Sequence, residues 1–352
     1  MAFTITPPVE PMLAQLEDDV PSGEGWLYEP KWDGFRALIF RDGDQLHIQS
    51  RNGQPLERYF PELLEPLKDA LPDRCVVDGE IIIPTQRGLD FDALLQRIHP
   101  AASRITRLAK ETPAAFVAFD LLALGDEDLR ERPFRQRREA LEVALGDSDT
   151  VFLTPQSHKP KDARVWFERF EGAGLDGVVA KREELTYQPG ERVMVKVKHL
   201  RTAECVVGGY RVYKGGGVGS LLLGLYDEGG VLQHVGSTSA FTAKQRKEML
   251  EKLKPLEGGT SFGAGRTPGA PSRWAQKRDT AWIALTPELV CEVAFDHLQG
   301  ERFRHATRFL RWRPDKSPRE CTFEQLQPPR PFKLEAVIEL GRARATAGTR
   351  SR

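Results

Sequence analysis

Residues 174–200 read GLDGVVAKREELTYQPGERVMVKVKHL, and this stretch decides how the chain is built. Two valine-rich runs, GLDGVVAKR and RVMVKVKHL, are separated by a Tyr-Gln-Pro-Gly turn, so we predict two strands here. Side chains alternate along a strand, which places Lys196 and Lys198 on the same face. Two neighbouring ammonium groups repel each other unless an anion lies between them. A phosphate group would meet that need.

A change in charge directly after this stretch indicates a domain boundary. The chain has 352 residues, with 51 basic and 51 acidic side chains. Residues 1–201 sum to −8 and residues 202–352 to +8, so an acidic first half precedes a basic second half. The length also exceeds what one hydrophobic core usually supports. We therefore predict two domains divided near residue 201, the second of which suits a polyanionic partner.

Several classes of protein are excluded by patterns that the sequence lacks. No apolar run reaches the roughly 18 residues of a membrane-spanning helix. The N-terminal MAFTITPPVEP has neither the basic nor the apolar region of a secretory signal. The four cysteines include no Cys-x-x-Cys pair, which predicts buried, reduced thiols rather than a zinc site. P-loop and protein-kinase signatures are also missing.

The first half mixes strands with short helices. FRALIFRDGDQLHIQS (35–50) has the alternation of a β-hairpin, with Asp42 and Gly43 in its turn. The arginine-rich RERPFRQRR (130–138) leads into an amphipathic helix, and we predict a solvated face there. Further strands are predicted at 75–83 and 114–124, and helices at 61–70, 91–98 and 134–145.

The second half has short strands, glycine-rich turns and a helix at 242–254. This pattern is typical of a small closed β-barrel. The last residues, GRARATAGTRSR (341–352), are small, basic and poor in apolar side chains, so we predict a disordered tail.

Charged residues interrupt strands that otherwise read as buried core. Unpaired buried charge is costly, so one such position alone is best read as a salt bridge. Five of them in one domain favour a shared anionic ligand. The five positions are Lys31 with Asp33, Asp78 with Glu80, Asp120, Asp176 with Lys181, and Lys196 with Lys198.

An ordered set of motifs resembles that of the ATP-dependent DNA ligases. EPKWDGFR (29–36) contains the Lys-x-Asp-Gly signature of covalent nucleotidyltransferases. The motifs that follow in family order are SRNG (50–53), VVDGEI (76–81), FVAFD (116–120), DGVVAK (176–181), VKVK (195–198) and RWRPDK (311–316). Within this family, the chain resembles small bacterial ligases of the LigC type and the ligase module of LigD.

This resemblance implies an α+β fold. A nucleotidyltransferase domain, with ATP-grasp-like antiparallel sheets and helices, would be followed by an OB-fold β-barrel. The implied divisions are an adenylation domain at 1–201, an OB-fold domain at 202–330 and a basic, flexible tail at 331–352.

The resemblance also assigns a nucleotide site. Lys31 would attack the α-phosphate of ATP and carry AMP as a phosphoramidate. An amine must be neutral to attack, so we expect nearby cations to lower the pKa of Lys31. Glu29 would accept a hydrogen bond from the adenine amino group, which favours ATP over GTP. The other implied ligands are Phe119 against the purine, Glu80 at a ribose hydroxyl, and Arg36 and Arg51 at ribose and phosphate.

Further residues would act on the phosphates and the metal. Asp176 takes the position of the carboxylate that binds Mg²⁺ or Mn²⁺, although the family usually has Glu there. Lys196 and Lys198 would hold the α-phosphate. A segment of the second domain would orient the departing pyrophosphate through Arg313, Asp315 and Lys316.

The implied activity is the sealing of nicks in duplex DNA through lysyl-AMP, in DNA repair. Nicked duplex DNA is the implied partner, repair polymerases or other repair proteins are possible further partners, and we expect a monomer in the bacterial cytoplasm, associated with the nucleoid. Candidate phosphate contacts, each of which alone reads as a solvated charge, are Lys244, Arg246, Lys247, Arg273, Lys277 and Arg278.

Other members of the superfamily are alternatives. A GTP-dependent mRNA-capping guanylyltransferase shares the Lys-x-Asp-Gly core, but Glu29 and Arg36 favour the ligase. An RNA ligase would differ in the strand that it joins. A NAD-dependent ligase is disfavoured because that family has a cysteine zinc module, and a non-catalytic OB-fold protein is disfavoured by the intact Lys31.

Overall fold

The computed structural model describes residues 5–99, 101–263, 281–326 and 330–349. The chain divides into two compact units, residues 1–199 together with 329–352, and residues 200–328. The passage from the first unit to the second, at residues 199 and 200, lies within two residues of the predicted boundary at 201. The C-terminal segment from residue 329 belongs to the first unit.

The described residues of the first unit contain two larger β-sheets. The strands are β1 Leu13–Glu17, β2 Trp26–Lys31, β3 Phe35–Asp42, β4 Gln45–Ser50, β5 Arg74–Ile82, β6 Pro84–Thr85, β7 Gly88–Leu89, β8 Ala115–Leu124, β9 Glu127–Asp128, β10 Val151–Leu153, β11 Gly177–Arg182 and β12 Arg192–Lys198. One sheet has the strand order β1-β12-β11-β2 and the other β10-β8-β5-β3-β4, with β9 paired to β8. The predicted hairpin at 35–50 is confirmed as β3 and β4.

In the part of the chain that the structure describes before residue 200, the first unit has five α-helices. They are α1 Leu64–Ala70, α2 Phe91–Arg97, α3 Ala102–Glu111, α4 Phe134–Ala144 and α5 Pro160–Phe170, with 3₁₀ turns at Glu57–Tyr59, Pro61–Leu63 and Glu171–Ala173. The helices predicted at 61–70, 91–98 and 134–145 are confirmed by α1, α2 and α4. Helix α5 begins at a proline, which suits the first helical position because its missing N–H is not needed there.

Strand β11 lies between β2 and β12 and aligns their charged residues. Gly177 is opposite a lysine on each neighbouring strand, and Val179 is opposite a charged residue on each. Directly opposed residues, and residues two apart, share a face of a sheet. A side chain at position 177 is excluded, because a Cβ there would lie 2.0 Å from the carbonyl oxygen of Val197. This register places four charged residues on the same face of the sheet: Lys31, Lys198, Glu29 and Lys196.

The C-terminal segment is a helix of the first unit, so the prediction of a flexible tail at 331–352 is wrong for its described part. Helix α7 spans Leu334–Thr349, and the side chains of Leu334 and Val337 are buried in the core that includes α5. Gly341 lies against Leu153, where a Cβ would approach the carbonyl oxygen to 2.1 Å. The small and basic composition concealed the apolar face that begins the helix. Residues 350–352 lie outside the described residues.

The described residues of the second unit form one larger sheet. The strands are β13 Arg201–Val212, β14 Val218–Tyr226, β15 Leu232–Thr238, β16 Ile283–Ala284, β17 Val290–Phe295, β18 Leu298–Gln299, β19 Arg302–Phe303 and β20 Arg308–Trp312, with 3₁₀ turns at Lys254–Leu256, Pro318–Glu320 and Phe323–Leu326. The sheet has the order β15-β14-β13-β17-β20, and β16 pairs with β13. Helix α6, Ala243–Leu253, confirms the helix predicted at 242–254, and Thr242 caps it through a capping box.

The predicted closed barrel is not found. Within residues 200–263 and 281–326, a single bridge between Thr238 and Thr307 links the two ends of the sheet, and no continuous ladder closes it. The chain between β17 and β20 forms the separate two-stranded β18–β19 pair, and β20 then pairs with β17. A pattern of short strands and glycine turns indicated the strands but not the closure.

The cysteines confirm the prediction of buried thiols. Cys75 lies in the first unit and Cys205, Cys291 and Cys321 in the second, all buried and none in a disulfide. None of the described helices combines the length and apolarity that crossing a membrane requires.

Candidate active site

A cavity of about 250 Å³ lies on the charged face of β2, β11 and β12. Its wall includes N-terminal residues that the sequence analysis did not single out, Pro11 to Ala14. The structure also brings together around it eight residues from the predicted nucleotide site: Glu29, Lys31, Arg36, Arg51, Glu80, Phe119, Lys196 and Lys198.

Asp176 joins two of the lysines that line this cavity. Its Oδ2 lies 2.6 Å from Nζ of Lys31 and 2.7 Å from Nζ of Lys198. The backbone N–H of Asp176 also donates to the carbonyl oxygen of Lys31 at 2.9 Å. The Asp176 side chain is 3% exposed, whereas the two lysine side chains are 21% and 19% exposed. Two cations therefore share one buried carboxylate, and both can still be approached from the cavity.

The pKa of the Lys31 amine is raised, contrary to the expectation that nearby cations would lower it. Burial acts to lower this pKa, but the charge and hydrogen bond of Asp176, together with the charges of Glu80 and Asp33, outweigh burial. Lys196 shows the opposite shift, because burial and then the ammonium groups of Lys198 and Lys31 lower its pKa. Lys31 is thus protonated while Asp176 holds it, and an attack by its amine requires that this pair be broken.

Glu29 is a buried carboxylate with one oxygen engaged and one open. Its Oε2 lies 2.7 Å from Nζ of Lys181, and its Oε1 lies 3.6 Å from the guanidinium of Arg138. Among the described residues, Oε1 has no hydrogen-bond partner. A buried unsatisfied acceptor is costly, so this oxygen is a candidate to receive a donor from a ligand in the cavity. From the sequence, Lys181 was identified only as a buried charge, and Arg138 was predicted to lie on a solvated helix face.

Arg36 reaches the cavity from strand β3 and is held from behind by Asp78. The guanidinium donates from Nε to Oδ1 at 2.5 Å and from Nη2 to Oδ2 at 2.6 Å. Its carbon Cζ lies 4.4 Å from the ring centroid of Phe119, and Nζ of Lys181 lies 4.8 Å from the same centroid. The ring of Phe119 therefore already serves as a platform for cations, and its π face suits a purine equally well.

Two further predicted ligands differ in how firmly they are held. Glu80 is half-buried on β5, and burial raises its pKa to about 7, with Arg36 and Lys31 opposing part of the rise. Arg51 is exposed, and no hydrogen bond or ion pair within the described part of the chain holds its side chain. Glu80 can thus change charge near neutral pH, whereas Arg51 can move towards a ligand.

Oxygen donors for a divalent cation are present beside the lysines. An oxygen of Asp33 lies within 4.8 Å of an oxygen of Asp176. Carboxylate oxygens are the ligands that Mg²⁺ and Mn²⁺ prefer, and such sites are usually completed by water and by the phosphates of a substrate. The donors therefore fit the predicted metal.

Not every buried charge contributes to this site. Asp120 was grouped with the others, but both of its oxygens accept from Arg137, at 2.8 and 2.9 Å, and it does not line the cavity. The prediction that residues 130–138 form a solvated face is also wrong at two positions. Arg137 is fully buried and Arg138 is 1% exposed, because carboxylates and backbone oxygens inside the domain accept from them.

The predicted residues of the second unit form a group of their own. Arg313 pairs with Asp315 at 2.8 Å and also contacts Glu204, while Lys316 lies 3.5 Å from Glu204. Among the candidate DNA contacts, Lys244 and Lys247 are exposed. Arg246 instead donates to the carbonyl oxygen of Val218 at 2.7 Å and packs on Tyr213, which gives it a structural role. Arg273, Lys277 and Arg278 lie outside the described residues.

The position of Lys31 in a charged cavity agrees with the class of protein that its Lys-x-Asp-Gly motif resembles, the covalent nucleotidyltransferases. Residues 11–198 match the family described as ATP dependent DNA ligase domain, and residues 214–316 match the ATP dependent DNA ligase C terminal region. The chain belongs to the ATP-dependent DNA ligases, as the order of its motifs predicted.

Similar proteins agree with this assignment over nearly the whole chain. The chain is 52% identical over 350 residues to DNA ligase C1 of Mycolicibacterium smegmatis, covering 96% of this chain and 99% of that protein. It is 51% identical over 358 residues to DNA ligase C of Mycobacterium tuberculosis, with the same coverage. A solved structure of a Lig E DNA ligase shares the fold, with a TM-score of 0.53 and 18% identity over 86% of this chain and 99% of that one.

Proposed function

We propose that Lys31 carries the adenylate during three successive displacements at phosphorus that end in a sealed DNA strand. In the first, the amine nitrogen of Lys31 bonds to the α-phosphorus of ATP as the bond to pyrophosphate breaks. The 5′-phosphate at a nick then takes AMP from the lysine, and the neighbouring 3′-hydroxyl displaces AMP to join the strand. The observation that carries this proposal is the position of Lys31, which lines the cavity together with Lys196 and Lys198 and shares the carboxylate of Asp176 with Lys198.

The first step requires a neutral amine. Asp176 Oδ2, at 2.6 Å from Nζ, is positioned to take the proton of Lys31 or to give up its hold on the ammonium. Lys198 remains at 2.7 Å from the same carboxylate and can compensate its charge when Lys31 reacts. Lys196 and Lys198 then face the phosphate and stabilise the charge that develops on its oxygens.

Adenine recognition follows from the open oxygen of Glu29. Oε1 can accept a hydrogen bond from an exocyclic amino group at the 6 position of a purine, while Lys181 holds Oε2. A guanine would present a carbonyl oxygen there, and two acceptors repel. Phe119 supplies the stacking face. The site therefore favours ATP over GTP.

The remaining cavity residues would bind the ribose and the phosphates. We assign Glu80 to a ribose hydroxyl and Arg36 and Arg51 to the ribose and phosphates, because a planar guanidinium matches phosphate oxygens well. We assign pyrophosphate orientation to Arg313, Asp315 and Lys316, on the strength of their place in the RWRPDK motif.

Asp176, with Asp33 nearby, would hold Mg²⁺ or Mn²⁺. When bound, such an ion supplies Lewis-acid stabilisation of negative charge on phosphate oxygens. The aspartate is one carbon shorter than the glutamate usual in the family, so we expect its contact with the metal to include a water molecule.

The macromolecular substrate is nicked duplex DNA, and the process is DNA repair in the bacterial cytoplasm at the nucleoid. The exposed Lys244 and Lys247 suit backbone contacts, which are independent of sequence and weaken with salt. We propose a monomer, which repair polymerases or other repair proteins would bring to its nick.

Covalent labelling tests the first step. Incubation with α-labelled ATP should give a protein–AMP adduct, and labelled GTP or NAD should not. Lys31→Ala should abolish the adduct, and Lys68→Ala, which removes a lysine outside the cavity, should keep it. Label on the Lys31→Ala protein would overturn the nucleophile, and label from GTP alone would favour a guanylyltransferase.

Strand joining tests the rest. A nicked DNA duplex with a 5′-phosphate should be sealed with ATP, more slowly at high salt, and a chelator should stop the reaction until Mg²⁺ or Mn²⁺ is restored. Full activity in the presence of chelator would remove the metal from the proposal. Preference for a nicked RNA duplex would favour the RNA ligase alternative.

A further inference from the structure

The N-terminal segment forms one wall of the nucleotide cavity. Met12 is 1% exposed and lines the cavity with its neighbours from Pro11 to Ala14. Strand β1 then runs parallel to the lysine strand β12, with Leu16 opposite Lys196. A displacement of this segment would therefore change the shape of the cavity beside the phosphate-facing lysines.

The turn between β11 and β12 holds this wall through three hydrogen bonds. The N–H of Leu13 donates to the carbonyl oxygen of Glu191 at 2.8 Å, and the N–H of Gly190 donates to that of Pro11 at 3.3 Å. The third bond involves a side chain, since the N–H of Met12 donates to the hydroxyl oxygen of Tyr187 at 3.2 Å. Tyr187 is 3% exposed, so water does not replace this bond.

The same hydroxyl connects the wall to Arg36. It donates to Oδ2 of Asp78 at 2.7 Å, and Asp78 is fully buried and receives both hydrogen bonds from Arg36. Arg36 Nη2 in turn donates to the carbonyl oxygen of Met12 at 3.5 Å. The four residues Met12, Tyr187, Asp78 and Arg36 thus form a closed ring of contacts, and the Tyr187 hydroxyl is the group that both accepts and donates within it.

We propose that Tyr187 is a positioning residue for ATP, whose hydroxyl aligns the N-terminal wall of the cavity with the guanidinium of Arg36. This inference rests on the proposed function, because it assumes that Arg36 binds the ribose and phosphates of ATP. Burial, and the nearby Asp78 charge, raise the pKa of Tyr187 well above its usual value, so the hydroxyl remains a donor at any pH at which the enzyme works. The reacting lysine is not part of the ring, so ATP binding should suffer more than the chemical step.

Tyr187→Phe tests the role of the hydroxyl and keeps the buried ring. We expect the ATP concentration for half-maximal lysyl-AMP formation to rise about tenfold, while the rate at saturating ATP stays within about twofold. The matched control is Tyr28→Phe, which removes another fully buried tyrosine hydroxyl, one that donates to Pro21 at 2.7 Å away from the cavity. The control should leave both kinetic parameters unchanged.

A double variant tests whether Tyr187 acts through Arg36. In an Arg36→Ala background, Tyr187→Phe should raise the half-maximal ATP concentration less than twofold further, because the aligned group is already missing. A full tenfold increase in that background would overturn the proposal, as would an unchanged half-maximal concentration in the single variant. Should Tyr187→Phe fail to fold, Asp78→Asn breaks the ring at the next residue and must raise the half-maximal concentration at least as much.

The wild-type protein separates this inference from the proposed function. If it forms no adduct with ATP, the nucleotide assignment itself fails. If it forms the adduct and Tyr187→Phe behaves as Tyr28→Phe does, only the positioning role fails.

Discussion

Two buried aspartates of the first unit look alike in sequence and differ in what surrounds them. Asp120 lies within the apolar strand β8 and pairs with Arg137, whose side chain is fully buried, through two parallel hydrogen bonds. Asp176 precedes an apolar strand and is shared by Lys31 and Lys198, whose side chains remain about one-fifth exposed. The first pair is closed and its charges cancel, whereas the second group carries an excess positive charge at a cavity. Buried charge alone therefore does not distinguish a structural pair from a reactive site.

Removal of Asp120 should have the largest effect in this comparison, and the effect should be on stability. Asp120→Ala leaves Arg137 buried without its carboxylate, and we expect a loss of about 3–5 kcal/mol in the free energy of unfolding. Urea denaturation measures this loss. Asp128→Ala breaks an exposed pair with Arg130 and should cost less than about 1 kcal/mol.

The folded fraction of the Asp120→Ala protein should form lysyl-AMP at close to the normal rate. A large decrease in this rate, with little loss of stability, would assign Asp120 to the reactive site. It would then not differ from Asp176 in its role.

Asp176→Asn should show the converse behaviour. The substitution removes the charge that orients Lys31 and Lys198, and we expect lysyl-AMP formation to slow by about a hundredfold or more. Stability should change by less than about 1 kcal/mol, because both lysines can turn towards water. Rapid-quench labelling measures the rate of lysyl-AMP formation, and thermal unfolding measures the stability. Strong destabilisation with normal labelling would show that Asp176 has a structural role, as Asp120 does in its pair with Arg137.

A substitution of Lys196 measures how much the excess positive charge at the cavity contributes to the rate of lysyl-AMP formation and to stability. Lys196→Met should slow lysyl-AMP formation by about tenfold, since one phosphate contact is lost. Its lowered pKa means that the folded state disfavours the charged lysine, so the variant should be somewhat more stable than the wild type at neutral pH. This difference should shrink as the pH rises from the lowered pKa towards 10.5. A variant that is less stable at neutral pH would contradict the excess-charge view.

Glu80 should give the smallest effect, visible as a pH dependence. Burial raises its pKa from 4.5 to about 7, so the folded state binds this proton more tightly than the unfolded state. The stabilisation is complete below pH 4.5 and is lost as the pH rises through about 7. Relative to Glu80→Gln, the wild type should lose roughly 1–2 kcal/mol over this range, after allowance for screening by solvent. Parallel stability curves for the two proteins would show that the pKa of Glu80 is the same in the folded and unfolded states.

The strand motifs were predictable because their chemistry lies in local alternation. VKVK (195–198) places two lysines on one face whatever the rest of the chain does, and EPKWDGFR (29–36) places Glu29 and Lys31 two residues apart. The structure adds the register that joins these strands across Gly177. Register depends on contacts between distant residues, so the Lys31–Asp176 pair and its effect on the lysine pKa were beyond sequence reasoning.

The errors share a cause, which is that composition does not reveal a partner distant in sequence. Arg137 reads as a solvated helix residue until Asp120 is placed beside it. Residues 331–352 read as a tail until Leu334 and Val337 are seen in the core. The N-terminal wall from Pro11 to Ala14 gave no chemical signal, since it acts through its backbone and shape.

Because α7 returns to the first unit, the second unit is an insertion rather than an appendage. His199 stacks on Phe167 with ring centroids 3.8 Å apart, and Phe332 packs on Phe170 at 5.2 Å, so the chain leaves and re-enters about one turn apart on α5. A chain that ends after residue 199 would therefore lack part of the core of the first unit. A chain in which a short loop joins residue 199 to residue 330 should instead fold by itself. For the same reason, the inserted unit could be replaced during evolution without a change in the core of the first unit.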